Sequence, residues 1–486
     1  MIISRYHVAA PAFLDHQDGI AKRVVFAART AQWRSIDVDT WQRVENRDFS
    51  SIPGEILRDL LEIELLVPAE EDELATILKR NRDAIENEHV LRVVVQPTAL
   101  CQVACDYCSQ KHENRQLSGD DQDRLICRTR ALLEKGRYRV LQVSWFGAEP
   151  LLALNVIRVL SPQFRALAEE FHCEYIARIT TNALGLSEVV ADELLGDVGV
   201  REFVITLDGP AEVHDARRPT KDGRGTFERV FANVVSLASG NGLAAGVLIR
   251  CNVDRRNVQT VSQLIQALAQ SQALHHLRDL VFVPVYNWGN DAGSLALPKE
   301  EFAEQETKWL AELAALGFVS PALIPRREAI VCMAVARDSF LVDPYGQVFN
   351  CTETSLLPTP PPPRVTAISE SIRGNTGCQS PILSTSATYA TGDLAGGERP
   401  ERRQLLGDFN ERVARGEYPC SSCRILPVCG GACPKQWLEG GVPCPGAKFN
   451  IEARLLLGYA VYRLDAVKVQ QAACDARNSA AQARLD

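Results

Sequence analysis

The sequence has no apolar run approaching the ~20 residues that a bilayer span requires, so no transmembrane segment is expected. Nor is a signal peptide expected. The N-terminal stretch MIISRYHVAAPAFLDHQD has too short and too broken an apolar core, and the chain is expected in the cytoplasm. Basic charge is not in excess. The 53 Lys and Arg side chains are outnumbered by 61 Asp and Glu, for a formal net charge of −8, the wrong sign for gripping phosphate backbones by counterion release. Neither nucleic acid nor membrane is expected as a partner. What is present, 46% hydrophobic against 23% charged residues, is the balance of a folded chain rather than a disordered one.

The 486 residues suggest about three domains at ~150 residues each. Residues 1–88 mix strand-like runs such as RVVFAART with the helical stretch EDELATILKRNRDAI, a small α+β module. From residue 90, six strand-like runs alternate with helical stretches: VLRVVVQ, LQVSWFG, EYIARITT, REFVITLDG, AGVLIRCNV and LRDLVFVPVY. Strand, helix, strand in repetition predicts parallel strands joined by right-handed crossovers, and an α/β domain over 89–320. Periodicity leaves open whether the sheet is flat or closes as a barrel. Either way, ligands bind at the carboxyl ends of the strands. Residues 321–450 form a further domain whose stretch 357–400, with the run Pro360–Pro363, reads as a flexible insertion. Residues 451–486 read as a helix and tail.

Fifteen cysteines are too many to ignore, and in a long chain with no secretion signal, clustered cysteines more often bind metal than form a disulfide framework. Cys127, Cys173, Cys251, Cys378 and Cys474 have no patterned spacing and read as small apolar side chains. The first patterned group, CQVACDYC, holds Cys101, Cys105 and Cys108 in one loop after the first strand. It offers three thiolates where a closed cluster or zinc site takes four. One metal position is then open, unless His112 completes a zinc knuckle. The second group holds Cys332, Cys351, then CSSCRILPVCGGAC with Cys420, Cys423, Cys429 and Cys433, and finally Cys444. A zinc ribbon uses four cysteines and would leave three of these seven idle.

CQVACDYC resembles the CxxxCxΦC loop of radical S-adenosylmethionine enzymes, with Tyr107 as the aromatic position. The resemblance implies a partial (β/α)6 TIM-type barrel, a [4Fe–4S] cluster on Cys101, Cys105 and Cys108, and S-adenosylmethionine chelating the open iron, from which a 5′-deoxyadenosyl radical is generated. WFGAEPLL resembles the family's GGEP segment, so Gly147, Ala148 and Glu149 would meet the cofactor, with Ala148 replacing a glycine. TTNAL resembles the TNG turn, placing Asn182 there. TLDGPAEVHDARRP and IRCNVDRRN resemble the fourth- and fifth-strand segments and bring Asp208, Arg250 and Asn252 to the cofactor.

The second cysteine group resembles the SPASM extension of that family. The resemblance implies two auxiliary [4Fe–4S] clusters, hence three in all: one on Cys420, Cys423, Cys429 and Cys444, the other on Cys332, Cys351 and Cys433. The latter has only three obvious ligands and is either open to substrate or closed by a non-cysteine group. The N-terminal module resembles the winged-helix-like elements by which peptide maturases hold a leader; a barrel-capping extension is the alternative. The implied activity is hydrogen abstraction from a side chain of a ribosomally made precursor peptide, followed by crosslinking, with flavodoxin or ferredoxin as reductant. The alternatives are a sulfatase-type maturase forming formylglycine, and a non-catalytic iron–sulfur carrier or zinc scaffold. Tyr286 and Trp288, after the sixth strand, stand where a substrate could enter. None of His112, His214, His275 and His276 has a partner visible in the sequence, so no general base is assigned.

Overall fold

The computed structural model describes residues 1–240, 246–286, 291–357 and 386–482. The N-terminal module starts with β1 (Ile2–Ile3), β2 (His7–Ala9), β3 (Phe13–Asp15), β4 (Ile20–Ala27) and β5 (Gln32–Asp37). Strands β2, β3 and β5 all pair antiparallel with β4. Helices α1 (Val38–Glu45), α2 (Gly54–Glu62) and α3 (Glu73–Glu86) follow, with β6 (Leu66–Val67) pairing back to β1. Asp37 and Asp72 accept hydrogen bonds from Thr40 N and Ala75 N, satisfying orphan first-turn amides of α1 and α3.

The six apolar runs become β7 (Val90–Val95), β8 (Val140–Trp145), β9 (Glu174–Thr181), β10 (Val200–Thr206), β11 (Gly246–Val253) and β12 (Asp279–Pro284). They pair in parallel in chain order. Helices α4 (Gly119–Leu133), α5 (Leu154–Glu170), α6 (Glu188–Gly196), α7 (Ala211–Arg217), α8 (Phe227–Ser239) and α9 (Val261–Gln270) lie in the crossovers. Ser118 and Ser187 cap α4 and α6. The sheet does not close: among the described strands β12 pairs only with β11. On the other side β7 takes β13 (Phe340–Val342) in parallel, and β14 (Gln347–Phe349), β15 (Gly392–Asp393) and β16 (Gly397–Glu398) extend it antiparallel.

Three features differ from the sequence expectation. The boundary placed at 320 is no break in the sheet, because β13 adds directly to the first barrel strand. One helix, Pro150–Glu170, is long and apolar enough to span a bilayer. Half of its apolar window is nevertheless buried in the protein: Val156, Ile157, Leu160, Phe164 and Leu167 face the core beside the sheet. The C-terminal helix starts at Ala447, earlier than expected, and runs to Gln482. Pro360–Pro363, Cys378 and Trp288 fall outside the described residues.

The N-terminal module packs its Tyr6, Val8, Val24, Phe26, Ile77 and Leu78 in one core with Phe409, Val413, Tyr418, Ile425, Ile451 and Leu455. It therefore leans on the C-terminal cysteine region. Arg327 Nη2 donates to Asn81 Oδ1 at 2.6 Å across the same contact.

Candidate active site

A cavity of about 220 Å³ opens at the carboxyl ends of the parallel strands. Its walls come from the loop after β7 (Cys101, Cys105, Tyr107, Cys108, Gln110, His112), the turn after β8 (Phe146, Gly147, Ala148), and the ends of β9 (Thr180, Thr181, Asn182), β10 (Thr206), β11 (Arg250, Asn252) and β12 (Pro284). This is the ligand position that a parallel α/β sheet dictates. Backbone bonds hold the cysteine loop in place: Ala104 N donates to Pro219 O at 2.8 Å, Asp106 N to Arg217 O at 3.1 Å, and Lys111 N to Leu356 O at 2.7 Å.

Tyr107 occupies the centre of a polar network. Its hydroxyl donates to Asp208 Oδ2 and accepts from Arg218 Nη1 at 2.6 Å and Asn252 Nδ2 at 3.1 Å. Asp208 also accepts from Asn252 N at 2.8 Å and lies 3.8 Å from the Arg217 guanidinium, which pairs with Asp254 at 2.6 Å. Burial pushes the Tyr107 phenol well up, so it stays protonated and can donate to Asp208. His214 has the partners that its sequence did not reveal. Its Nδ1 accepts from Asp208 N at 3.2 Å, so the proton sits on Nε2, 3.2 Å from Thr226 Oγ1. Burial first, then the nearby Arg218, depress it to about 3.

Gly147 and Ala148 stand at φ +78° and +43°. A Cβ on Gly147 would lie 2.3 Å from Gln96 Nε2, so both conformation and space demand glycine there. Ala148 keeps the left-handed conformation of the glycine it replaces, at a cost of ~1–2 kcal/mol; its N–H is held by Gln110 Oε1 at 2.7 Å. Such strain concentrates at functional sites. Ala183, also in place of a glycine, has φ +59°.

Glu149 is wholly buried and is not part of the cavity wall. One of its oxygens accepts from Thr181 Oγ1 at 2.7 Å and Leu151 N at 3.0 Å, and the other from Asn182 N at 2.7 Å. It ties the ends of β8 and β9 together and thereby presents Asn182. Asp208, likewise off the wall, braces Tyr107 instead of facing the cavity. Cys101, Cys105, Cys108, Tyr107, Gly147, Ala148, Asn182, Arg250 and Asn252 all reach the wall. So do three residues that received no role from sequence: Arg218, Gln110 and Glu353. Arg218 lay inside a recognised segment, and Glu353 two places after a patterned cysteine. Neither position alone marks a cavity residue.

The later cysteines separate into two groups. Cys420, Cys423, Cys429 and Cys444 line one enclosed pocket of about 10 Å³ with Trp437 and Lys448, and the Lys448 ammonium donates to Cys444 Sγ at 3.4 Å. Gly431 (φ +87°) presses against the Phe409 ring, where a Cβ would meet Cε1 at 2.6 Å. Cys433 is not on that wall; its charge reaches Cys332 and Cys351. Burial pushes the Cys101 and Cys332 thiols up to about 11, and Cys105, Cys420 and Cys429 up to about 12. No disulfide links any described cysteine.

No family model and no curated protein matches the chain. Solved structures do. The anaerobic sulfatase maturase anSMEcpe with bound AdoMet aligns over 78% of this chain and 98% of its own at 14% identity and a TM-score of 0.54. The same protein with AdoMet and the Kp18Cys peptide covers 78% and 99% at 16% identity and 0.54. The chain shares the fold of that AdoMet-bound maturase over most of its length. SuiB of Streptococcus suis bound to its precursor peptide SuiA covers 91% and 98% at 12% identity and a TM-score of 0.45.

The residues of both cysteine groups fit an iron–sulfur centre. Soft thiol donors surround each site, and the three-thiol loop is the one that borders open space. Among the described residues, no three His, Cys, Asp or Glu side chains form a group that could hold a metal ion. Cys108 Sγ and His112 Nε2 lie 3.8 Å apart. A four-iron core keeps its cysteines farther apart than a single ion does.

Proposed function

We propose that this chain is a radical S-adenosylmethionine maturase that removes a hydrogen from a side chain of a ribosomally made precursor peptide and installs a carbon–carbon or similar crosslink. One observation carries the reading. Three thiols, the strained Gly147–Ala148 turn, Asn182, Arg250 and Asn252 share a single cavity, and Glu353, beside the incomplete cysteine set, stands on the same wall.

Cys101, Cys105 and Cys108 would hold the first cluster, Cys420, Cys423, Cys429 and Cys444 the second, and Cys332, Cys351 and Cys433 the third. The cofactor pair supplies one-electron chemistry that takes a hydrogen atom from carbon. The chain's own residues bind and orient. Left-handed backbone at Gly147 and Ala148 exposes peptide groups to the cavity, Asn182 and Asn252 offer amides, and Arg218 places a buried guanidinium within charge reach of all three loop thiols. Tyr286 walls the side toward the later cysteines, where burial pushes its phenol up to about 12.

Anaerobically reconstituted protein with dithionite, S-adenosylmethionine and the peptide encoded beside its gene should release 5′-deoxyadenosine and lower the peptide mass by two hydrogens. An unchanged mass with every neighbouring peptide refutes the reading. A second reading, formylglycine formation on a protein Cys or Ser, draws on the fold likeness to anSMEcpe. An aldehyde product on a sulfatase-type partner would establish it. Against it stands the part of this chain that has no counterpart in that maturase.

A further inference from the structure

The proposed third cluster has three cysteines and needs a fourth ligand. Cys332 and Cys351 sit in one packed cluster with Val94, Phe349 and Leu357, beneath the added strands β13 and β14. Cys433 approaches from the N-terminus of a short helix, Pro434–Leu438. Two residues beyond Cys351, the backbone N–H of Glu353 donates to the Cys351 sulfur. The Glu353 carboxylate lies within charge reach of Cys351 and Cys433, and also of Cys108 in the first loop. It is half-buried and reaches the wall of the 220 Å³ cavity. Two other groups compete for the role. Glu328 is in charge reach of Cys332, and Cys378 falls outside the described residues.

We propose that the Glu353 carboxylate is the fourth ligand of the cluster held by Cys332, Cys351 and Cys433. This rests on the reading of that set as a four-iron site. Ligation by Glu353 makes the third cluster unequal: three soft thiolates and one hard oxygen, with the oxygen on the cavity side. Carboxylate is the weakest match to iron–sulfur chemistry among the four ligands, so this is the iron that an incoming thiol could claim. Replacing thiolate by a neutral or harder ligand raises a cluster's potential, as histidine does in Rieske centres.

The test uses full-length protein with Cys101, Cys105 and Cys108 changed to Ala, leaving only the two later sites, reconstituted anaerobically with iron-57. The parent should hold about eight irons per chain in two four-iron clusters, one showing a distinct iron by Mössbauer spectroscopy. Adding Glu353→Ala should give a three-iron EPR signal on mild oxidation. Adding Glu353→Cys should abolish that signal, erase the distinct iron and lower the midpoint potential, a rescue that a merely structural glutamate would not show. Glu328→Ala and Cys378→Ala should leave the spectra as in the parent. The proposal is overturned if Glu353→Ala leaves the spectra unchanged, or if Glu328→Ala or Cys378→Ala produces the three-iron signal instead. An iron content of about four or fewer in the parent overturns the two-cluster reading itself, and the ligand assignment with it.

Discussion

The first cysteine loop and the later quartet are built from the same side chain toward opposite ends. The loop has three thiols on a cavity of about 220 Å³, edged by Asn, Arg and left-handed backbone. The quartet has four thiols around about 10 Å³, enclosed by the stacked rings of Phe409, Tyr418 and Trp437. Ligand number and free space change together: the site one thiol short is the site with room. On the proposed reading, a centre that admits another molecule is left open, and one that only holds its metal is sealed.

The strongest way to break this comparison is to remove thiols from each side. Changing Cys101, Cys105 and Cys108 to Ala should abolish release of 5′-deoxyadenosine while about eight irons remain; persistent cleavage would place the chemistry elsewhere. Truncating one phenol on each side sharpens it next. Tyr107→Phe removes a buried donor from Asp208 and the acceptor that Arg218 and Asn252 share, and should cost about 1–3 kcal/mol in urea unfolding. Tyr418→Phe, whose hydroxyl among the described residues meets only Arg412 Nη1, at 3.4 Å, should cost under about 0.5 kcal/mol. Equal costs would mean that the open site is no more polar than the sealed one.

Acid should act on the open site through His214. Its folded pKa of about 3 lies below its unfolded value near 6.5, so the unfolded chain takes up a proton first as pH falls. Stability from this group is full above about pH 6.5 and is lost progressively toward pH 3, about 2 kcal/mol by pH 5. His214→Gln should flatten that part of the unfolding profile. A profile unchanged by the substitution would show that the imidazole is not held neutral. On the sealed side, Lys448→Met removes the ammonium beside Cys444 and should lower the midpoint potential of the quartet's cluster, since charge and hydrogen bonds at sulfur set it. The smallest effect is at Ala183, where glycine should relieve left-handed backbone and leave stability within about 1 kcal/mol of the parent. A loss larger than that would point to a packing role for the methyl group.

Much of this was legible in the sequence because the signals are local. Six apolar runs reported six parallel strands, since alternate residues of each strand are buried in one core. The spacing of Cys101, Cys105 and Cys108 placed three thiols in one loop, and the fold sets that loop on the cavity wall. The pairing of Phe340–Val342 with Val93–Val95 was not legible, because three residues carry no period. Glu149 was read as facing the cofactor, since a motif gives residue identity but not side-chain direction; in the fold it braces two strand ends. Ala148 illustrates the opposite limit. The glycine-to-alanine change did not reveal the backbone conformation, which is left-handed, with the Ala148 N–H held by Gln110 on the neighbouring loop. Glu353 and Arg218 reach the cavity only through contacts between segments distant in the chain.

The parallel pairing of β7 with β13 also has a consequence in time. Roughly 240 residues separate these partners, and at ~5–20 residues per second a ribosome needs on the order of 10–50 s to make them. Through that interval the first strand of the sheet has one exposed edge, Val93, Val94 and Val95, waiting for a neighbour not yet synthesised. During synthesis this valine edge is the place where a stray strand could bind, and the rate of translation thus bears on whether the nascent chain folds or aggregates.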